Sequence, residues 1–309
     1  MRLFLAIFVG AFGSTVRGDI TFGVTFQDIV QSTGEGFDDP VFGADRVNTF
    51  NSALSYINTV FDESGSFDID VQLSESDGTG PLATGGTFFF TSPARFTNGL
   101  GFAHATTGND PLLGNADAFA SFDFGFNYNN TLASPAAGQF DLFTVALHEL
   151  SHGFGFISLT SSTGVSQIGS MTDPGVFTVF DSFLEDGSGN SLFAAGGDFV
   201  GDTSDLVSDD LFFGGANAVA ANGGNPVEVF APTTFLEGSS LSHIVTPSPS
   251  VLNFSIAAGS EIREFNDVEL AVFQDLGYTL AVTAVPEPSV VVFGSVCCLG
   301  VTLRRRRRR

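Results

Sequence analysis

Apolar positions recur along this chain with two different periods, and each period predicts a different element. Ile20 to Gln27 alternates apolar and polar residues, which predicts a strand. Further strands are predicted over Phe67 to Leu73 and Gly86 to Thr91, and a long strand suited to a sheet edge over Asp117 to Tyr128. From Ala44 to Phe61 the apolar residues recur at helical spacing, which predicts an amphipathic helix. The mixture of elements predicts an α+β fold.

A second helix is predicted from Phe140 onward, and it carries the strongest chemical pattern in the chain. Asp141 can cap its N-terminus, and an apolar stripe at helical spacing follows. The helix contains a His-Glu-x-x-His sequence formed by His148, Glu149 and His152. Residues four apart share one helix face, so the two histidines can bind one metal ion, and Zn²⁺ suits imidazoles spaced this way. Glu149 is placed to act as a base on the attacking water.

Two further features separate this pattern from a chance occurrence. The chain has four histidines, and two of them lie here. Gly155 extends the pattern to His-Glu-x-x-His-x-x-Gly, at which a helix can turn sharply away from a metal site. The segment resembles the active-site helix of the metzincin clan of zinc proteases, in which a third ligand usually follows three residues after the glycine. That position is Ser158 here, and a neutral hydroxyl is a poor zinc ligand.

In a leishmanolysin-like branch of the clan, an insertion separates the third histidine ligand from the first two. The resemblance therefore implies a third ligand much later in the chain. His243 lies 91 residues after the second histidine of the helix and is the predicted third ligand. Asp181 and Glu185 remain alternative carboxylate ligands, and a glutamate in that role would make the site similar to that of thermolysin-like enzymes. His104 lies in a Gly- and Asn-rich region, 98–116, predicted to be a loop, and it is interpreted as a surface residue.

The residues after His243 extend the resemblance and also depart from it. Val251 to Phe254 stand where the clan has a methionine-containing turn beneath the metal, and Leu252 stands in place of the methionine. Because that turn supports the site by packing, a leucine of similar volume is compatible with it. Asn266 to Tyr278 has a capping asparagine and a Leu-Gly-aromatic end, and it is similar to the short C-terminal helix of secreted bacterial metalloproteases.

Taken over residues 19–280, the resemblance implies a single metzincin-like domain with a twisted mixed sheet, a catalytic helix and a loop-rich insertion at 160–238. It also implies a zinc-dependent endopeptidase acting on protein or peptide, with three histidines holding Zn²⁺ and Glu149 as the general base. The insertion would line the cleft and set specificity. The alternative is a non-catalytic acidic surface or biofilm-matrix protein whose metal site is structural or vestigial.

The charge balance excludes some partners. Between residues 19 and 285, three arginines face 33 acidic residues, a net charge of −30 that the six C-terminal arginines hide in the whole-chain value of −23. Such a composition argues against nucleic acid and anionic lipid as ligands. It suits a salt-tolerant organism, divalent cations or a basic substrate. The Asp-rich stretch 198–210 makes structural Ca²⁺ a second candidate ion, although it lacks an Asp-x-Asp-x-Asp-Gly loop.

The two ends of the chain predict export and sorting. Residues 1–18 combine a basic start with an apolar run, which is typical of a secretory signal peptide. A linker, 281–288, contains Pro-Glu-Pro and is followed by an apolar transmembrane segment at 289–303 and arginines at 304–309. This order resembles the PEP-CTERM sorting signal, which implies a Gram-negative bacterium, processing by an exosortase, transient anchoring in the inner membrane and delivery to the surface or exterior. An ordinary tail anchor is the alternative.

Overall fold

A computed structural model describes residues 17–90, 95–168 and 175–281. All but the last two residues of the predicted signal peptide lie outside these ranges. So do the PEP-CTERM-like segment and nearly all of the linker before it. Within the described ranges, no helix is long and apolar enough to cross a bilayer.

The described chain is a mixed α/β structure with several sheets, which is compatible with the predicted α+β class. The helices are α1 Gln27–Gln31, α2 Gly43–Val60, α3 Leu100–Thr107, α4 Leu142–Gly153, α5 Ala216–Ala221 and α6 Asp267–Asp275. The strands are β1 Thr21–Phe26, β2 Ser66–Val71, β3 Ala83–Thr87, β4 Phe96–Thr97, β5 Ala118–Phe122, β6 Tyr128–Asn129, β7 Phe140–Asp141, β8 Phe177–Thr178, β9 Leu184–Asp186, β10 Leu211–Phe213 and β11 Val227–Glu228.

The principal sheet has four strands in the order β1-β2-β5-β3. β1, β2 and β5 are parallel neighbours, whereas β3 runs antiparallel to β5 at the edge. In β2 and β5 every second residue is buried, as expected for strands with one face on the core. The predicted strands beginning at Ile20 and Phe67 are confirmed as β1 and β2.

The long edge strand predicted over 117–128 is wrong in length and in place. β5 ends at Phe122, because the Asp123 carboxylate accepts hydrogen bonds from the backbone N–H of Gly125 and of Gly78 and turns the chain. β5 also pairs on both sides, so it is an inner strand. The strand predicted over 86–91 is displaced, since β3 starts three residues earlier, ends at Thr87 and forms the edge.

Helix α2 agrees with the helix predicted from Ala44 to Phe61, and it packs against α4 and, through its apolar stripe, against the sheet. Its apolar stripe is buried, and Phe50 meets Phe26 and Phe122 of the sheet with ring centroids 5.5 and 6.1 Å apart. These edge-to-face contacts fix the helix on the sheet. α4 lies beside it and contacts β3 and β5.

The predicted insertion, 160–238, is not only loop. It contains a three-stranded sheet in the order β11-β10-β9, and α5, which packs against α6. Its buried apolar side chains, including Phe180, Leu184 and Phe213, belong to the same core cluster as the principal sheet. The insertion is therefore a packed part of this structure, and its end carries the chain back toward α4. Residues 169–174 within it lie outside the described ranges.

Candidate metal centre

Helix α4 presents its two histidines at the floor of a cleft. The Asp141 carboxylate caps the helix by accepting hydrogen bonds from the backbone N–H and the hydroxyl of Thr144. At the other end, Gly155 has φ = +88°, the left-handed conformation that the predicted sharp turn requires. The helix thus begins and ends as the sequence predicts, and His148 and His152 lie on its cleft face.

His243 joins these two histidines from the far end of the insertion. The Nε2 atom of His148 lies 3.1 Å from Nε2 of His152 and 3.1 Å from Nε2 of His243. The backbone around His243 pairs with β11 and the residues after it, since Phe230 donates its N–H to the carbonyl of His243 at 2.9 Å. The structure therefore brings together the three histidines that the sequence predicts as zinc ligands.

Each histidine is oriented by a main-chain carbonyl on its other ring nitrogen. All three Nδ1 atoms lie 2.7 Å from a carbonyl oxygen. The acceptors are Val251 for His148, Phe156 for His152 and Ser239 for His243. A nitrogen so placed donates its proton, so the Nε2 atom of each neutral ring keeps its lone pair. Such carbonyl partners are the usual outer support of metal-binding histidines.

The donor set fits zinc. Three lone pairs that face one another at these distances repel, and a cation among them removes the repulsion. Three imidazoles with a fourth position facing a cleft are a set that Zn²⁺ accepts at catalytic sites. The three side chains form one of the groups in the described chain that could hold an ion.

Burial keeps these imidazoles in the form that binds a metal. It lowers the pKa of His148, and it lowers the pKa of His243 well below the ordinary histidine value. Burial, together with the neighbouring His148, lowers the pKa of His152 to about 3. Neutral histidine is the ligand form, so no proton has to be displaced from these rings near neutral pH.

Glu149, the acidic residue of helix α4, lies in the same cleft. Its side chain is 6% exposed, and burial raises its pKa to about 8. The edge strand β3 passes directly over it, because Gly85 has no side chain: a Cβ there would lie 2.5 Å from the carbonyl oxygen of Glu149. A divalent cation among the three histidines would favour the ionised carboxylate.

The cleft has a volume of about 660 Å³ and runs between the edge strand and the insertion. The β3 edge and the residues before it form one wall, and the segments before and after His243 form the other. No lysine or arginine lines it among the described residues. Its apolar lining includes Phe126, Phe140, Val145, Ile157, Phe235 and Phe254.

Neither alternative carboxylate ligand lies with the histidines. Asp181 is fully buried, and its oxygens accept hydrogen bonds from the hydroxyls of Ser158 and Thr178. Glu185 lies on β9, with its carboxylate beside Gly214. The group that could hold an ion at this place consists of the three histidines.

Ser158, at the position where the short form of the motif has its third ligand, holds His243 indirectly. Its backbone N–H donates to the Ser242 hydroxyl at 3.1 Å, and that hydroxyl donates to the Ser158 carbonyl at 3.0 Å. The segment of His243 is thus bonded to the backbone of Ser158, the position at which the short form of the motif has its third ligand. The sequence contains no local signal for this contact, since it joins residues far apart in the chain.

The interpretation of His104 as a surface loop residue is wrong. It lies in helix α3, is 7% exposed, and its Nδ1 is 2.7 Å from the Asp117 carboxylate. Gly99 and Gly108, in the left-handed region, bound this helix, which is the signal in the sequence that could have revealed it. With Asp68, the pair forms a second group whose ligand atoms lie within 4.8 Å of one another.

Within the described ranges, the Asp-rich stretch 198–210 forms no group of three side chains able to share an ion. Asp202 and Asp205 instead accept hydrogen bonds from nearby backbone N–H groups. A third group that could hold an ion, made of the acidic residues Glu75, Asp77 and Asp123, lies elsewhere. Structural Ca²⁺ therefore stays a prediction without a site at 198–210.

No protein-family model matches the chain, and comparisons with curated proteins and with solved structures give no match either. The fold and the site define a mixed α/β protein with a largely buried group of three histidines beside a glutamate, at the floor of an apolar cleft.

Proposed function

We propose that this protein is a zinc-dependent endopeptidase that hydrolyses peptide bonds in a chain bound along the cleft. One observation carries the proposal: three Nε2 atoms converge while each Nδ1 is held by a main-chain carbonyl. The adjacent Glu149 favours an enzyme over a structural metal site, because a purely structural zinc site does not need a carboxylate base.

The residues of the chain have separate roles in this reaction. His148, His152 and His243 hold the metal, which when bound supplies Lewis-acid polarisation of the scissile carbonyl and stabilises the negative charge that develops on its oxygen. Glu149 accepts the proton of the attacking water and returns it to the leaving amine. The buried walls around Glu149 limit access of bulk water to this proton.

The substrate backbone pairs with the edge strand β3. This strand has a neighbour only on the β5 side within the described sheet, and the residues of β3 from Ala83 to Gly85 line the cleft. An extended peptide can add to such an edge through main-chain hydrogen bonds, with its side chains entering pockets. The apolar lining of the cleft suits apolar substrate side chains.

The finer fold assignment belongs to this proposal. Three parallel strands, an antiparallel edge strand over the His-Glu-x-x-His helix, and a buried turn at Val251–Leu252 below His148 support a metzincin-like domain. Export and PEP-CTERM-type sorting by an exosortase complete the proposal, placing the enzyme at the surface or exterior of a Gram-negative bacterium.

Glu149→Gln tests the proposed function. The purified wild-type protein is expected to contain zinc and to cleave members of a peptide library. The variant should retain zinc and lose turnover by about 10²- to 10⁴-fold, the usual contribution of a general base. Undiminished turnover in the variant would contradict the assigned role. A wild-type protein that holds zinc but cleaves no peptide would support the alternative of a non-catalytic surface protein.

A further inference from the structure

The carbonyl that orients His148 belongs to a peptide group with an unusual partner on its other side. The peptide between Val251 and Leu252 accepts the Nδ1 proton of His148 on its oxygen, at 2.7 Å. The N–H of the same peptide, that of Leu252, donates to the Oε1 atom of Glu269 at 2.8 Å and, at the longer distance of 3.1 Å, to the Ser250 hydroxyl. One peptide group therefore lies directly between a carboxylate and a proposed metal ligand.

Glu269 is held firmly in this position. It belongs to the first turn of α6, is fully buried, and accepts hydrogen bonds from the Ser250 hydroxyl at 2.6 Å and from the backbone N–H of Asn266 at 2.8 Å. All of its partners donate to it, and such hydrogen bonds favour the ionised carboxylate, although burial raises the pKa of Glu269 above the ordinary glutamate value. The contact to Asn266 completes the capping box of α6, which explains a glutamate at this position but does not explain its contact with Leu252.

The other two histidines provide an internal comparison. His243 donates to the carbonyl of Ser239, and the N–H of the same peptide, that of Ser240, donates to another backbone carbonyl, that of Leu236. His152 donates to the carbonyl of Phe156. The peptide that accepts from His148 donates its own N–H to a carboxylate. Within the described ranges, the peptides that accept from His152 and His243 have no such carboxylate partner.

We propose that Glu269 is a positioning residue of the metal centre and acts on His148 through the Val251–Leu252 peptide. A carboxylate that accepts from a peptide N–H polarises that peptide and makes its carbonyl a stronger acceptor. The stronger acceptor draws the Nδ1 proton of His148 and makes its Nε2 a better electron donor to a metal, as a directly bonded carboxylate does at other zinc sites. The arrangement is a carboxylate–peptide–histidine relay.

The inference rests on the proposed zinc site but not on peptidase activity, so its test measures metal affinity. Zinc affinity is measured by competition with a chelator for wild type, Glu269→Gln and Asn266→Ala. Asn266→Ala is the matched control, because it weakens the cap of α6 but leaves the carboxylate on Leu252. We expect Glu269→Gln to bind zinc about 10- to 100-fold more weakly, as is usual for loss of an outer partner of a ligand, and the control to stay within about threefold of wild type.

A spectroscopic measurement separates the relay from general loosening, and its first comparison uses the wild-type protein alone. In the zinc-loaded wild type with ¹⁵N-labelled histidine, the Nδ1–H proton of His148 is expected to resonate downfield of those of His152 and His243, although all three donor–acceptor distances are 2.7 Å. In Glu269→Gln it should move upfield while the other two stay in place. A His148 resonance no further downfield than the other two, or zinc affinity unchanged in Glu269→Gln, would overturn the inference and leave the proposed function standing.

Discussion

The proposed metal centre joins two regions that are built differently. His148 and His152 lie on one helix, where a spacing of four residues alone places them together. His243 comes from an irregular segment whose position depends on contacts with distant parts of the chain, and Leu241 within it has φ = +70°. The first region is determined locally, and the second is determined by long-range hydrogen bonds. Substitutions in the two regions should therefore affect zinc binding differently even where they cost similar stability.

The largest expected effect belongs to the turn below His148. Leu252 is fully buried, and its carbonyl accepts from the N–H of Ile244, next to the third histidine. Leu252→Ala should lower the free energy of unfolding by about 3.5 kcal/mol, through lost burial and the cavity left behind. It should also weaken zinc binding, since the Val251 carbonyl shifts with the turn. Urea denaturation and chelator competition measure the two effects.

Leu252→Met is the matched control for this position. Methionine has a similar volume and occupies the corresponding turn in the metzincin clan that the sequence resembles. The variant should therefore lose less than about 1.5 kcal/mol of unfolding free energy and keep its zinc affinity. If the alanine variant bound zinc as tightly as the methionine variant, the turn would not support the site.

A comparable loss of stability is expected on the helix side, but without a change in zinc binding. Arg263 donates to both carboxylate oxygens of Asp141, at 2.9 and 2.6 Å, and Asp141 is fully buried. Arg263→Ala leaves that carboxylate without its cation and should cost about 3 kcal/mol of unfolding free energy. The α4 spacing remains, so zinc affinity should be unchanged. A large loss of affinity in this folded variant would contradict the separation of the two regions.

The smallest expected effect concerns the link between Ser242 and the backbone of Ser158. Ser242→Ala removes two buried hydrogen bonds and should cost about 1–2 kcal/mol of unfolding free energy. Because the lost contact adjoins His243, the variant should bind zinc more weakly than Arg263→Ala despite its smaller loss of stability. The reverse order of affinities would show that the Ser158 contact does not position the third histidine.

The contrast between local and long-range contacts also explains which features the sequence could predict. The helix around His148, its Asp141 cap and the turn at Gly155 just after its end were predictable because each depends on neighbours within a few residues. The inner position of β5 was not, since the pairing of β3 beyond it is a property of the assembled sheet. His243 was predicted from a resemblance to a family rather than from spacing.

The supporting contacts could not be predicted at all. Glu269 is recognisable in the sequence as part of a capping box, but its bond to Leu252 depends on where the helix packs. The burial of His104 against Asp117 likewise follows from packing of α3 on the sheet. Such contacts join side chains that no local pattern relates, and the contact of Glu269 supports the proposed metal centre.

The most direct test of the three-histidine centre compares the zinc content and affinity of wild type with those of His243→Ala, with His104→Ala as the control for a histidine outside the centre. We predict one tightly held zinc in wild type and in His104→Ala, and loss of zinc from His243→Ala at the same free zinc concentration. Zinc retained at full stoichiometry and affinity in His243→Ala would contradict the three-histidine centre.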